Sequence, residues 1–446
     1  MKNVAFHNLG CKVNSYEIDV MQQMLQESGY NVVPFDAIAD IYIVNTCTVT
    51  NIADRKSRQM LHRAKAKNPD AIVVAVGCYV QTDQEAVKKD DCIDLAIGNN
   101  RKKDLAGILA AFLANREDKT LHDSTIIKIN EPCAYEEMTL KQTAEHTRAY
   151  IKIQDGCNQF CSYCIIPFAR GRVRSRRAED IMNEIQGLAA AGFKEVVLTG
   201  IHLSSYGIDQ LQEETSGHVG LIELVEQIHG IEGLQRIRLG SLEPRIITRD
   251  NAQRLAALPK VCPHFHLSLQ SGCDEILKRM NRHYTTGEYY LSVEELRRTF
   301  TNPAITTDII VGFPGETEAD FEETMQFAEK ISFYEMHVFK FSGRKGTPAA
   351  KMAGQIPEKV KSDRSSKLIS LGSRQQEEYA RQYIGREAEV LFEEVREIGG
   401  KQFQIGHTDN YMKIALAGDV NLSNCLKKVR ITGFLDKEIM NCISMD

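Results

Sequence analysis

Short apolar runs alternate with longer amphipathic stretches twice along this 446-residue chain, once from Met1 to about Asn115 and again from about Thr147. Such alternation builds strand, helix, strand units whose strands lie parallel beneath a cover of helices. In the first block the expected strands are Val4 to Leu9, Ile41 to Asn45 and Ala71 to Val76. Helices are expected near Ser15 to Glu27, Asn51 to Lys67 and Asp83 to Lys89, with Gly29 ending the first. In the second block the expected strands are Tyr150 to Ile153, Glu195 to Thr199, Ile237 to Gly240, Phe265 to Leu269, Thr307 to Val311 and Met336 to Phe341. Helices such as Ala178 to Ala190, Leu221 to His229 and Glu318 to Lys330 fall between them. Six such units are too few to close an eight-stranded barrel and suit an open one.

Residues 116 to 145 are polar, interrupted by Pro132 and aperiodic, so they read as a linker. Beyond Arg374 the pattern shortens to five strand candidates: Glu387 to Glu394, Gln402 to Ile405, Tyr411 to Leu416, Lys427 to Ile431 and Glu438 to Ile443. Their density suggests a small β-barrel of a kind often used for RNA. The fold class is therefore α/β. It combines an N-terminal parallel α/β sheet domain (1–115), a linker (116–145), a partial (β/α)6 barrel (146–374) and a small C-terminal β-barrel (375–446).

Twelve cysteines, with no charged-then-apolar leader at Met1-Lys2-Asn3-Val4, argue against a disulfide framework and for a cytoplasmic protein. No apolar run is long enough to cross a bilayer. Cys157, Cys161 and Cys164 fall within eight residues, and one such loop converges three thiolates. A structural zinc site closes with four protein ligands, and the nearest other cysteine, Cys133, lies well upstream. The triad is one ligand short, as a 4Fe-4S cluster with an open iron requires; zinc or plain buried thiols are the alternatives. Cys11, Cys47 and Cys78 each follow directly on a predicted strand. The carboxyl ends of strands form the ligand edge of an open α/β sheet, so these three are expected to meet at one rim as a second cluster site. Cys92, Cys133, Cys262, Cys273, Cys425 and Cys442 share no spacing and read as structural.

Chemistry in βα repeats sits at the carboxyl ends of the strands. Thr199, Gly200, Glu243, Ser268, Gln270, Asp308 and Gly312 fall there, as candidates to hold a nucleoside cofactor beside the Cys157 loop. Next comes a run with five arginines in eight residues, Arg170, Arg172, Arg174, Arg176 and Arg177. Planar guanidinium forks suit phosphate, so the run is a candidate RNA contact, against a solvated or ion-paired loop. The formal net charge of -5 gives no overall pull toward RNA. The last segment, from Gln375, carries nine Lys and Arg against twelve Asp and Glu. RNA contact there would need one face, with Lys401, Lys413, Lys427, Lys428 and Arg430 available.

With these residues in view, the Cys-x-x-x-Cys-x-x-Cys loop resembles the signature of radical S-adenosylmethionine enzymes. The whole chain looks like a methylthiotransferase of that class. The resemblance implies an auxiliary 4Fe-4S cluster on Cys11, Cys47 and Cys78, a radical-generating 4Fe-4S cluster on Cys157, Cys161 and Cys164, and a C-terminal TRAM barrel. It also implies S-adenosyl-L-methionine as cofactor, and an electron donor and a sulfur source of unstated identity. Leu9-Gly10-Cys11-Lys12-Val13-Asn14 and Asn45-Thr46-Cys47-Thr48-Val49-Thr50 are similar to the branch that methylthiolates C2 of N6-threonylcarbamoyladenosine in the anticodon stem-loop of tRNA, at adenosine 37. Branches acting on isopentenyladenosine or on a ribosomal-protein aspartate are the alternatives. From outside this class, a noncatalytic iron-sulfur RNA-binding module or an electron carrier would also use two clusters.

Overall fold

The central strands of the N-terminal sheet are apolar on both sides, which demands cover on both faces. The computed structural model describes residues 1–115, 125–141, 147–210 and 219–445; the linker expected over 116–145 is therefore seen only at 125–141, and its remainder lies outside the described residues. Strands β1 (Asn3–Asn8), β2 (Asn31–Val33), β3 (Ile41–Thr46), β4 (Ile72–Gly77) and β5 (Leu95–Ile97) form an all-parallel sheet in the order β2-β1-β3-β4-β5. Alternate residues go to opposite sides. Val4, Phe6, Ile41, Ile43, Val74 and Val76 pack with the helices Lys12–Glu27 and Leu105–Ala114. Ala5, Tyr42, Val44, Val73 and Ala75 pack on the other face with Leu61 and Ala64 of the helix Asn51–Lys67. Each large apolar side chain so buried contributes about 1.5–3 kcal/mol. Strands β2 and β5, three residues each, are too short to register as a sequence pattern.

The order of strands reverses between β1 and β3, and a crevice opens at their carboxyl ends where connections diverge. Cys11 follows β1, Cys47 follows β3 and Cys78 follows β4.

The second unit contains β6 (Ala149–Asp155), the short β7 (Arg174–Ser175), β8 (Glu195–Gly200), β9 (Arg236–Leu239), β10 (His264–His266), β11 (Ala304–Val311) and β12 (Glu335–Lys340). β6, β8 and β9 pair in parallel, as do β10, β11 and β12, and a parallel bridge between Leu242 and Leu267 links the two groups. β7 lies antiparallel on the outer edge of β6. Six parallel strands thus make the expected open barrel. Ile151, Ile153, Val196, Leu198, Ile237, Leu239, Phe265 and Ile309 face outward into a core shared with the helices. The alternate positions Lys152, Gln154, Thr199, Arg236, Arg238, His264, His266 and Asp308 give the barrel a polar inner face.

Residues 125–141 contain no helix or strand but are pinned along their length. Thr125 Oγ1 donates to Ala96 O at 2.6 Å, and Met138 and Leu140 join the core under β1 and β3. The 24-residue helix Glu358–Arg381 was not expected, and the boundary set at 374/375 falls inside it. Its Leu368 and Leu371 belong to the partial barrel's core, its Tyr379 and Ala380 to the next unit's.

That unit is a closed barrel in the order β13-β14-β15-β17-β16, from β13 (Glu387–Ile398), β14 (Lys401–Thr408), β15 (Lys413–Ala417), β16 (Leu426–Phe434) and β17 (Ile439–Ser444). Gly399 and Gly400, both at positive φ, form the two-residue turn between β13 and β14. The next turn drives Tyr411 under the partial barrel. Its ring stacks on His264 at 4.7 Å and lies 5.2 and 4.9 Å from the guanidinia of Arg148 and Arg238. The C-terminal barrel thereby floors the partial one at the amino ends of its strands.

Candidate active site

The Cys157 loop is held by its own backbone and by the segment that follows it. Gly156 has φ +71°, and a side chain there would place Cβ 1.8 Å from Arg172 O, so this position accepts glycine alone. Cys157 N donates to Gly171 O at 3.0 Å, and Ser162 N to Met280 O at 2.9 Å. Two donors point at the sulfurs: Gln159 N is 3.5 Å from Cys157 Sγ, and Arg282 Nη1 is 3.3 Å from Cys161 Sγ. Burial pushes the Cys157 thiol up to about 11 and the Cys164 thiol up to about 12. Protons held that tightly leave when a metal centre takes the sulfur.

The second triad is assembled from three strand ends. Gly10 and Gly77, at φ +123° and +99°, allow the close approach; a Cβ on Gly77 would lie 2.7 Å from Asn45 Oδ1. Asn14 Nδ2 donates to Leu9 O at 2.7 Å and to Thr46 O at 3.2 Å, tying the first loop to the second. Thr46 Oγ1 donates to Val76 O at 2.6 Å, tying the second to the third. Asn99 Nδ2 lies 3.5 Å from Cys78 Sγ and donates to Ala169 O at 2.7 Å. Burial raises the Cys11 thiol and lifts that of Cys47 to about 11, and the three sulfurs lie within electrostatic reach of one another. Among the described residues, neither triad gathers its sulfurs within the 4.8 Å a single ion needs. Wider spacing, donors to sulfur and an incomplete ligand count fit a multinuclear cluster.

The Cys157 loop opens on a cavity of about 310 Å³. Cys157, Cys161 and Cys164 line it from one side, and Val49 and Thr50, just past Cys47, from the other. Glu243, Ser268, Gln270 and Asp308 line it as expected of cofactor-binding residues. Thr199, Gly200 and Gly312 do not. Thr199 is buried, Gly200 packs on Gln154, and Gly312 donates its N–H to Glu316 Oε2 at 2.7 Å. His202, 3.4 Å from Glu243 Oε2, and Arg282 also line the cavity; no motif in the sequence marks Arg282.

The arginine run does not present an RNA surface. Arg170, Arg174 and Arg176 are 1%, 5% and 1% exposed. Arg170 bonds Glu17 Oε1 at 2.8 Å, Asn14 Oδ1 at 2.7 Å and Asp155 at 3.2 Å, so it joins the N-terminal domain to the base of the Cys157 loop. Arg176 pairs with Glu184. Glu17 lies 153 residues from Arg170 in sequence, which hid that pairing. Of the five arginines only Arg172, over the Phe160 ring at 4.4 Å, and Arg177 are exposed. Burial by itself would raise the Glu17 carboxyl, but Arg170, Lys102 and Lys152 hold it well below the usual carboxylate range. Arg344 makes a second junction, bonding Thr48 Oγ1 at 2.7 Å, Asn51 Oδ1 at 2.5 Å and Asp54 Oδ2 at 2.5 Å. On the C-terminal barrel, Lys428 is exposed on β16 and Lys427 partly so.

An open barrel with a cluster-ready loop at its rim defines the radical S-adenosylmethionine class, and the Radical SAM superfamily pattern matches residues 151–328. The pattern described as uncharacterized protein family UPF0004 matches residues 3–98. The chain is 39% identical over 433 residues to the threonylcarbamoyladenosine tRNA methylthiotransferase MtaB of Bacillus subtilis (strain 168), covering 97% of this chain and 94% of that one. The enzyme of that name from Thermotoga maritima is 34% identical, covering 99% and 97%. The tRNA-2-methylthio-N(6)-dimethylallyladenosine synthase of Moorella thermoacetica is also 34% identical, covering 95% and 94%. The chain belongs to the tRNA methylthiotransferase family, and is a radical S-adenosylmethionine methylthiotransferase. Among solved structures, the radical S-adenosylmethionine methyltransferase TsrM from Kitasatospora setae shares the fold, with a TM-score of 0.60 and 16% identity, covering 78% of this chain and 77% of that one. The family implies a 4Fe-4S cluster and S-adenosylmethionine; no helix among the described residues is long and apolar enough to cross a membrane.

Proposed function

We propose that the chain methylthiolates C2 of N6-threonylcarbamoyladenosine in the anticodon stem-loop of tRNA, with one cluster on Cys157, Cys161 and Cys164 and a second on Cys11, Cys47 and Cys78. The observation that carries this reading is a cavity lined by Cys157, Cys161 and Cys164 and bordered by Val49 and Thr50 just past Cys47, in a chain whose relatives of that substrate match almost end to end. The first cluster and S-adenosylmethionine supply a radical able to activate the unreactive adenine C2–H bond, which no side chain can do. The protein's residues bind and orient. Glu243, Ser268, Gln270 and Asp308 place polar groups around the cavity for the methionine and ribose ends of the cofactor. Arg282 and Gln159 hold donors on the first triad's sulfurs, and Asn99 on the second's. Arg170 and Arg344 fix the distance between the triads.

The C-terminal barrel is read as a TRAM module, with Lys427, Lys428 and the exposed Arg172 as candidate RNA contacts. We take the protein to act in the cytoplasm, with an electron donor and a sulfur source as partners. Nucleoside mass spectrometry of total tRNA from cells lacking the protein tests the reading. Loss of 2-methylthio-N6-threonylcarbamoyladenosine, restored by a plasmid copy, is expected. Loss of the isopentenyl product instead corrects the substrate, and an unchanged profile overturns the tRNA reading.

A further inference from the structure

Among the described residues, two groups of metal-ligating side chains outside the thiol triads bring their ligand atoms within 4.8 Å of one another. One is His62, Asp90 and Cys92, at the surface of the N-terminal domain. There His62 Nε2 lies 2.8 Å from Asp90 Oδ2 in a hydrogen bond, so imidazole and carboxylate already satisfy each other. The other is His266, Asp308 and His337, on the inner face of the partial barrel. These three come from the adjacent parallel strands β10, β11 and β12, and Asp308 and His337 are direct partners across β11 and β12.

In this second group the ligand atoms do not satisfy one another. Thr306 Oγ1 lies 3.0 Å from His266 Nδ1 and fixes the ring. His266 Nε2 is buried 3.3 Å from Asp308 Oδ2, yet it is aligned for no hydrogen bond with that carboxylate or with any other described group. His337 approaches from the open edge of the sheet. Its ring lies 6.1 Å from that of His266, inclined by 26°, and its Nδ1 is 4.0 Å from Glu335 Oε1. A buried nitrogen without a partner beside a carboxylate costs free energy, and a cation shared between them offsets that cost.

The group belongs to the wall of the reaction cavity. Asp308 lines the cavity on which the Cys157 loop opens, and His266 and His337 each stand two residues before another lining residue, Ser268 and Phe339. With alternate residues on one face, both imidazoles sit one side chain deeper than that lining.

We propose that His266, Asp308 and His337 form a binding site for a single divalent transition ion, zinc or iron(II), in the wall of the cavity. Two imidazoles and one carboxylate suit these borderline metals, whereas magnesium and calcium take oxygen ligands. Thr306 is the outer hydrogen-bond partner that a ligating imidazole needs. Three protein ligands leave the ion a position open, as at sites where a metal meets a bound molecule. The inference is independent of which modified adenosine the enzyme takes.

The test titrates zinc into the cluster-loaded full chain against a chromophoric chelator. His337→Ala is expected to weaken the binding of one zinc ion per chain by at least about 10- to 100-fold, the loss that even a change outside the ligand set causes. His266→Ala is expected to do the same. His337 is exposed on an edge strand, so iron per chain in His337→Ala is expected to equal that of the wild type. Zinc-edge X-ray absorption on Cys92→Ser protein, which takes sulfur out of the surface group, is expected to show nitrogen and oxygen at about 2.0–2.2 Å and no sulfur at about 2.3 Å. Zinc binding that is equal in wild type and His337→Ala overturns the inference, as does a wild type that binds no zinc. A sulfur shell around the zinc overturns it too, because the ion would then sit on cysteine thiols.

Discussion

The two thiol triads reach the same end by opposite routes. Cys157, Cys161 and Cys164 come from one loop, held mainly by its own backbone and the glycine at 156. Cys11, Cys47 and Cys78 come from three strand ends 31 or more residues apart, and only the parallel sheet brings them together. A local site survives as long as its loop does; a distributed one depends on the whole domain. The first is therefore vulnerable at its loop and at Gly156, the second at any of its three strand ends.

The largest effect separates the roles. Cys157→Ala is expected to abolish 5′-deoxyadenosine formation entirely, whereas Cys11→Ala retains S-adenosylmethionine cleavage but yields no methylthio product. Product from the Cys11 variant would erase the division between the sites.

Next in size is the junction beneath both. Glu17→Gln leaves Arg170, Lys102 and Lys152 buried short of their carboxylate, and is expected to cost about 3–5 kcal/mol in denaturant titration. Because the folded-state proton affinity of Glu17 is depressed, its contribution is present above about pH 4.3, the ordinary glutamate value, and is lost as the pH falls further. The gap between wild type and Glu17→Gln should therefore narrow on acidification. A gap that widened would show the carboxylate is not the stabilising form.

Two glycine variants sharpen the contrast further. Gly156→Ala forces Cβ against Arg172 O, and Gly77→Ala forces it against Asn45, each at a positive φ that costs about 1–3 kcal/mol. Gly156→Ala is expected to lower iron at the Cys157 loop alone. Gly77→Ala is expected to lower iron at the strand-end site alone, and the electron-resonance signal of each reduced cluster distinguishes them. The smallest effect belongs to Arg344→Lys, which keeps the charge but loses the fork that spans Thr48, Asn51 and Asp54. A stability loss of about 1 kcal/mol is expected, with less product per S-adenosylmethionine cleaved.

What the chain alone determined was whatever depends on nearby residues. The βα alternation, the spacing around Cys157, and the position of a cysteine after each of β1, β3 and β4 are local patterns, and they sufficed to place six thiols at two rims. Tertiary structure decided what depends on partners far away in sequence. The arginine run read as an RNA surface because Glu17 lies more than 150 residues before Arg170, so nothing local signals the ion pair that buries it. Thr199 and Gly312 fell at strand ends as expected, but Thr199 is buried without lining the cavity and Gly312 gives its N–H to Glu316, since what a strand end meets is set by packing. Arg282 carries no motif; its meaning comes from the sulfur that the fold brings to it. Periodicity reports which face of a strand is buried, whereas charge pairing is resolved only when the chain has closed on itself.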